Sequence, residues 1–186
     1  MNRFETWFCG SQFWRYVTQR QLLPWILQGS ELGEHVLELG AGLGAATDEL
    51  RRRAAQVTCL EYDHAFAAKL GRRVGGTNAA AVQGDAATLP FPDNTFSSAI
   101  AVLMLHHLRS NELQNHAFSE ICRVLRLGGV FLAFEIQNGW LHRVGHIRST
   151  FVPVDPATVS ARLKAAGFSR VAADFRRGGF RIRALR

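Results

Sequence analysis

Three glycines at alternate positions, Gly40, Gly42 and Gly44, follow directly on the apolar run Val36–Leu39. An apolar helical pattern then extends from Leu43 to Arg53. A buried strand, a tight glycine turn and a helix is how an α/β fold builds a nucleotide pocket. Gly40 permits a sharp turn, and Gly42 and Gly44 let backbone approach a ligand with no Cβ in the way. The start of the helix offers free N–H groups. Gln56–Glu61 reads as a second strand that ends in a carboxylate, 21 residues past Gly40. A carboxylate at that place can accept both hydroxyls of a ribose. The loop also fits the G-x-G-x-x-A dinucleotide variant, so a nicotinamide ligand and an adenosyl ligand both remain open. The plain alternative is an ordinary parallel sheet with a glycine turn and a solvated Glu61.

Three further segments carry groups that could act on such a ligand. Gln83–Phe91 sets Asp85 just past a third short strand. Phe96–Leu103 is a buried fourth strand, followed by Met104-Leu105-His106-His107-Leu108. The two histidines titrate near neutrality and are the nearest candidates for a base. Arg123–Gly129 then leads into an apolar fifth strand that runs to Glu135. With these four motifs in this order, the chain resembles the class I S-adenosylmethionine-dependent methyltransferases. It is most similar to the small-molecule branch of ubiquinone/menaquinone-type and related "type 11" enzymes. The resemblance covers about residues 35–135, with a tail to 186.

The resemblance implies a division of labour. Glu38, Gly40, Ala41, Gly42 and Gly44 would wrap the methionine end of S-adenosylmethionine. Glu61 would take the ribose diol, Tyr62 and Ala86 would flank the adenine, and Asp85, after Gly84, would accept from its exocyclic amine. Val102, Leu103 and Met104 would pass under the cofactor near the sulfonium. Methyl transfer is an in-line displacement from a good leaving group, so the enzyme mainly aligns and desolvates, with a base only where the nucleophile holds a proton. His107, with His106 beside it, is the candidate base or orienting group. Trp14, Trp140, His142, His146 and Arg148 are candidates for the acceptor pocket. The bland readings stand beside these: a buried Glu38 satisfied by backbone amides, Asp85 as a turn residue, Tyr62 as surface packing, the His142–Arg148 stretch as solvated surface. Two departures from the family pattern matter. Leu127 replaces the proline common before the fifth strand. Met104–His107 replaces the Asn/Asp-Pro-Pro-aromatic motif of nucleic-acid amino methyltransferases, which argues against base methylation.

The elements that must position these groups alternate. Strands are expected at 36–39, 56–61, 80–84, 96–103 and 129–136, with helices at 43–53, 63–74 and 110–125. Alternating strands and helices imply a parallel sheet covered on both faces. Residues 2–28 read as one or two amphipathic helices, with Pro24 expected to break or kink the second. Asp155-Pro156 starts a helix that ends at Gly167. Arg170–Arg176 and Phe180–Leu185 read as an antiparallel hairpin. By resemblance this is a single α/β domain with a Rossmann-like, seven-stranded sheet, mostly parallel with an antiparallel C-terminal hairpin. Residues 1–30 would form an N-terminal helical cap and residues 31–186 the methyltransferase domain.

The bulk properties agree. A length of 186 residues with 47% apolar composition suits one domain and is too short for a two-domain dehydrogenase. No apolar run approaches a membrane span, and Met1–Glu5 lacks a signal-peptide pattern. The odd, widely spaced Cys9, Cys59 and Cys122 suggest reduced thiols and a cytoplasmic protein. No metal site is expected, because there is no C-x-x-C motif and His142 and His146 lack partners. The net charge of +7 could mean nucleic acid, but 20 of the 22 basic residues are arginines spread over the chain. The reading is therefore a methyltransferase acting on a small, partly apolar acceptor. An RNA methyltransferase and a non-catalytic cofactor-binding protein are the alternatives, and a nicotinamide oxidoreductase lacks its catalytic Tyr-x-x-x-Lys pair.

Overall fold

A computed structural model describes residues 11–136, 151–176 and 178–186. Seven strands form one sheet: β1 (His35–Leu39), β2 (Gln56–Glu61), β3 (Ala79–Gln83), β4 (Phe96–Val102), β5 (Leu125–Ile136), β6 (Arg170–Arg176) and β7 (Gly179–Leu185). Their spatial order is β3-β2-β1-β4-β5-β7-β6. The first five are parallel, and β7 runs antiparallel to both its neighbours. The expected doubly covered sheet with a terminal antiparallel hairpin is the fold observed.

Successive side chains on a strand point to opposite faces, and both faces here are apolar. Leu37, Leu39, Ala99, Ala101, Phe131 and Ala133 pack on one side against Phe118 and Ile121 of a helix at Asn111–Val124. Val36, Ile100, Val130 and Leu132 face the other side, where Leu23, Ile26, Leu50, Leu70 and Val74 cover them. Strands buried on both faces read as continuous apolar runs, which is why β1 and β4 are plain in the sequence.

Four boundaries differ from expectation for local reasons. The helix expected at 43–53 is helical only at Thr47–Leu50. Gly44 has φ +82°, a left-handed conformation that cannot lie inside a right-handed helix. Pro24 does not break the N-terminal helix. Gln12–Val17 continues through a π-helical stretch, Thr18–Leu22, into Leu23–Leu27, with Pro24 in its first turn. The wider π turn just ahead of the proline accommodates its ring and missing N–H. β5 begins at Leu125, not 129, because Leu125 pairs with Phe96 before a register shift. The helix expected from Asp155 begins at Val159, after a turn in which Asp155 Oδ1 accepts from Ala157 N at 2.9 Å.

Candidate functional site

The strand order reverses between β1 and β4, and the crevice outside the carboxyl ends of strands at such a switch point is where α/β sheets hold ligands. Gly40 is fixed there by two demands. Its φ is +66°, and a Cβ would lie 2.2 Å from Met104 Cγ. The glycine loop and the end of β4 therefore touch. Gly42 carries the opposite message, since a Cβ on it would meet nothing within 4 Å. The loop faces open space at that residue.

Glu61, at the end of β2, closes the cradle. Its Oε2 accepts from Gly42 N at 2.7 Å and its Oε1 from Asp63 N at 2.9 Å. Each carboxylate oxygen has a second lone-pair direction, so the group can hold the loop and still accept from a diol. Asp85 follows β3. Its Oδ1 accepts from Ala87 N at 2.8 Å, and Ala86 beside it is buried, while Tyr62, next to Glu61, is exposed. Gly84 N donates to Glu61 O at 3.0 Å, which joins the two segments. Val102 ends β4 and Leu103 and Met104 follow it, all three half-buried. Leu103 has φ +53°, a rare conformation for a non-glycine residue, and its N–H donates to Phe134 O at 2.9 Å.

Glu38 sits below the loop. It is 4% exposed, and its Oε2 accepts from Thr47 Oγ1 at 2.6 Å and from Cys59 Sγ at 3.4 Å. Burial pushes its carboxyl up to about 7, against the lowering effect of the Thr47 and Cys59 hydrogen bonds. Its partners are side chains and not the backbone amides that the sequence suggested. Burial and the neighbouring Glu38 raise the Cys59 thiol well above its usual range, which disfavours the reactive thiolate. A guanidinium that sequence reasoning passed over completes the loop's support. Arg73 Nη1 donates to Asp48 Oδ2 at 2.8 Å and Nη2 to Gly44 O at 3.0 Å. No local signal marks Arg73, because its partners lie far away in sequence.

The histidine pair lies in a 3₁₀ turn, Leu105–His107, after β4. With its proton on Nδ1, His106 donates to Glu135 Oε2 at 2.6 Å, and Leu105 N donates to Glu135 Oε1 at 2.7 Å. His106 and Glu135 are both buried, and the His106 and His107 rings stand 4.3 Å apart. His107 is half-buried. Gln114 Nε2 donates to Val152 O at 2.8 Å, and Val152 N donates to His106 O at 2.8 Å. Glu135 was overlooked in the sequence although the signal was present: a carboxylate in an apolar strand requires a partner.

Trp14 is half-buried on the N-terminal helix. That helix is tied to the loop region by Gln19 Nε2 to Ala45 O at 3.0 Å and by Arg15 to Asp48 at 3.4 Å. Trp140, His142, His146, Arg148 and Cys9 lie outside the described residues. Among the described residues no group of side chains could hold a metal ion, and no helix is long and apolar enough to cross a membrane. A groove of about 530 Å³ lies apart from the strand ends, lined by Gln19, Arg20, Pro24, Glu49, Arg52 and Arg53.

Known proteins supply an independent comparison. The "Methyltransferase domain" family model matches residues 37–133. A demethylmenaquinone methyltransferase from Thermobifida fusca is 28% identical over 170 residues, covering 75% of this chain and 71% of that protein. One from Corynebacterium kroppenstedtii is 34% identical over 125 residues, covering 67% of this chain; the chain spans 49% of its length. A methyltransferase from Haloferax volcanii, solved in complex with the Trm112 methyltransferase activator, superposes with a TM-score of 0.81 at 17% identity, covering 100% of this chain and 98% of that one. At that identity the likeness is one of fold.

Proposed function

The chain belongs to the methyltransferase domain family, and we propose that it transfers the methyl group of S-adenosylmethionine to a small, partly apolar acceptor with a phenol- or quinone-like ring. The observation that carries this reading is Glu61, whose carboxylate bridges Gly42 and Asp63 at the mouth of the switch point while keeping acceptor capacity. When bound, the cofactor supplies an electrophilic methyl group on a sulfonium. The chain's own residues do the rest. Glu61 accepts from the ribose hydroxyls, and Asp85, through the oxygen not engaged by Ala87, accepts from the adenine amine. Gly42 leaves room for the amino-acid end, and Met104, pressed on Gly40, forms the floor near the reacting centre. His107 orients the acceptor or takes its proton, with His106 held behind it by Glu135. The acceptor class is supported by the demethylmenaquinone methyltransferases to which the chain is similar.

Calorimetric titration with S-adenosylmethionine, S-adenosylhomocysteine and NAD in parallel tests the cofactor. The expected result is binding of the first two and not NAD, weakened about tenfold or more in Glu61→Ala and Asp85→Ala, as fits loss of charge-assisted hydrogen bonds. Binding of NAD alone would overturn the reading. Binding of none of the three would favour a scaffold completed by a partner, in the way the Haloferax protein is found with its activator. A His107→Ala variant that turns over a true acceptor at the wild-type rate would remove His107 from the mechanism. The net charge of +7 supports a second reading, an RNA methyltransferase. That reading expects RNA affinity that falls steeply with salt.

A further inference from the structure

The N-terminal helical run has an outer face that its inner packing does not explain. Thr18 is buried, and Leu23, Ile26 and Leu27 pack against the sheet. On the opposite side Phe13 is 67% exposed and Tyr16 60% exposed, one helical turn apart, with Arg20 and Pro24 continuing the exposed stripe. Among the described residues the other exposed large apolar side chains, Tyr62, Leu127 and Phe175, sit singly on separate elements. Single exposed apolar residues need no explanation, whereas an aligned pair flanked by cations does.

The charge beside this stripe is one-sided. Asp48 is shared by Arg15, Arg51 and Arg73, and Glu49 by Arg52 and Arg53. Arg20 has no carboxylate partner among the described residues. Five guanidiniums thus share two carboxylates, and Arg20 makes a sixth cation beside them. Three of the six, Arg20, Arg52 and Arg53, line the groove of about 530 Å³ next to the helix.

We propose that the outer face of this helix, with the arginine-lined groove beside it, docks the protein on an anionic lipid bilayer. An interfacial helix buries aromatic rings at the headgroup–acyl boundary while flanking cations meet anionic headgroups. Phe13 and Tyr16 are the rings, and Arg20 with the groove arginines meets the phosphates. A nucleic acid is the less suited occupant. The rings project from a convex helix and not from a groove that tracks a strand, Phe13 has no polar handle, and the Glu49 carboxylate stands in the groove wall. The docking does not depend on which acceptor is methylated.

Sedimentation of the full chain with phosphatidylcholine vesicles, with and without phosphatidylglycerol, tests this. Binding is expected only with the anionic lipid. Phe13→Ser and Tyr16→Ser, which leave the charge unchanged, should each weaken it about tenfold. Arg20→Glu should weaken it further, while Phe13→Trp should retain it. Lys164→Ser with Arg170→Ser, which removes two exposed charges remote from this helix, should leave it in place. Circular dichroism and an unchanged Tm show that each variant is folded. Equal binding by Phe13→Ser/Tyr16→Ser and the wild type would reduce the effect to general charge attraction and overturn the proposal. So would absence of vesicle binding, or binding of single-stranded RNA in place of vesicles.

Discussion

A carboxyl enclosed by Thr47 and Cys59 gains little from ionising, and Glu38 holds its proton to about pH 7 where the unfolded chain releases it near 4.5. Between those values the folded chain binds more protons than the unfolded one, so this group's contribution to stability falls as pH rises through that window and is flat above it. Glu38→Gln keeps an acceptor for Thr47 and removes the slope. Denaturant titrations at several pH values should show the variant gaining on the wild type between pH 4.5 and 7, by a total of order 3 kcal/mol. Gly40 makes a second prediction. Gly40→Ala drives a Cβ into Met104 and keeps a strained φ, at about 1–3 kcal/mol. Met104→Ala in the same chain should return part of that loss, measurable as a coupling energy. At this scale the glycines and Glu61 were legible because the first strand, its turn and the carboxylate that ends the second strand follow one another within the single stretch Val36 to Glu61. Arg73 and Thr47 were not, because their value lies in partners met only on folding.

The turn Leu105–His107 shows how an element is fixed from several sides. Glu135 holds it from β5, Gln114 from the helix Asn111–Val124, and Val152 from the segment beyond. Gln114→Leu leaves the Leu105 and Val152 carbonyls without their side-chain donor in a buried place, at about 1–3 kcal/mol. Hydrogen exchange should then speed up at the Leu105 and Val152 amides, while the β1 and β2 amides keep their protection. Element existence followed from periodicity throughout the sheet. The ends did not: one left-handed glycine shortens the helix after the loop to Thr47–Leu50, and a π turn carries the chain through Pro24. Both are conformational choices that hydrophobic patterning does not encode.

For the molecule as a whole, the cradle draws on four strands, so a ligand that fits it should stabilise the entire domain and not one loop. At a concentration of S-adenosylhomocysteine about 100 times its Kd, unfolding free energy should rise by about 2.7 kcal/mol. Scanning fluorimetry would read this as a rise of Tm by several degrees, cut to about half or less in Glu61→Ala at the same ligand concentration. The doubly apolar strands made the sheet readable as a whole. The ring closed by Glu135, His106 and Val152 was not readable, since it joins segments 29 and more residues apart.

The position of β7 between β5 and β6 also has a consequence in time. β6 precedes β7 in the chain yet pairs only with it. During synthesis, therefore, β5 leaves the ribosome about 50 residues before its outer neighbour is made, and β6 waits with no neighbour at all. An open edge of consecutive apolar residues, as in Val130–Phe134, is sticky. Pulse-labelled refolding should find the β6 and β7 amides protected last, after the parallel core has formed. A nascent chain stalled before β7 should be the species that chaperones hold.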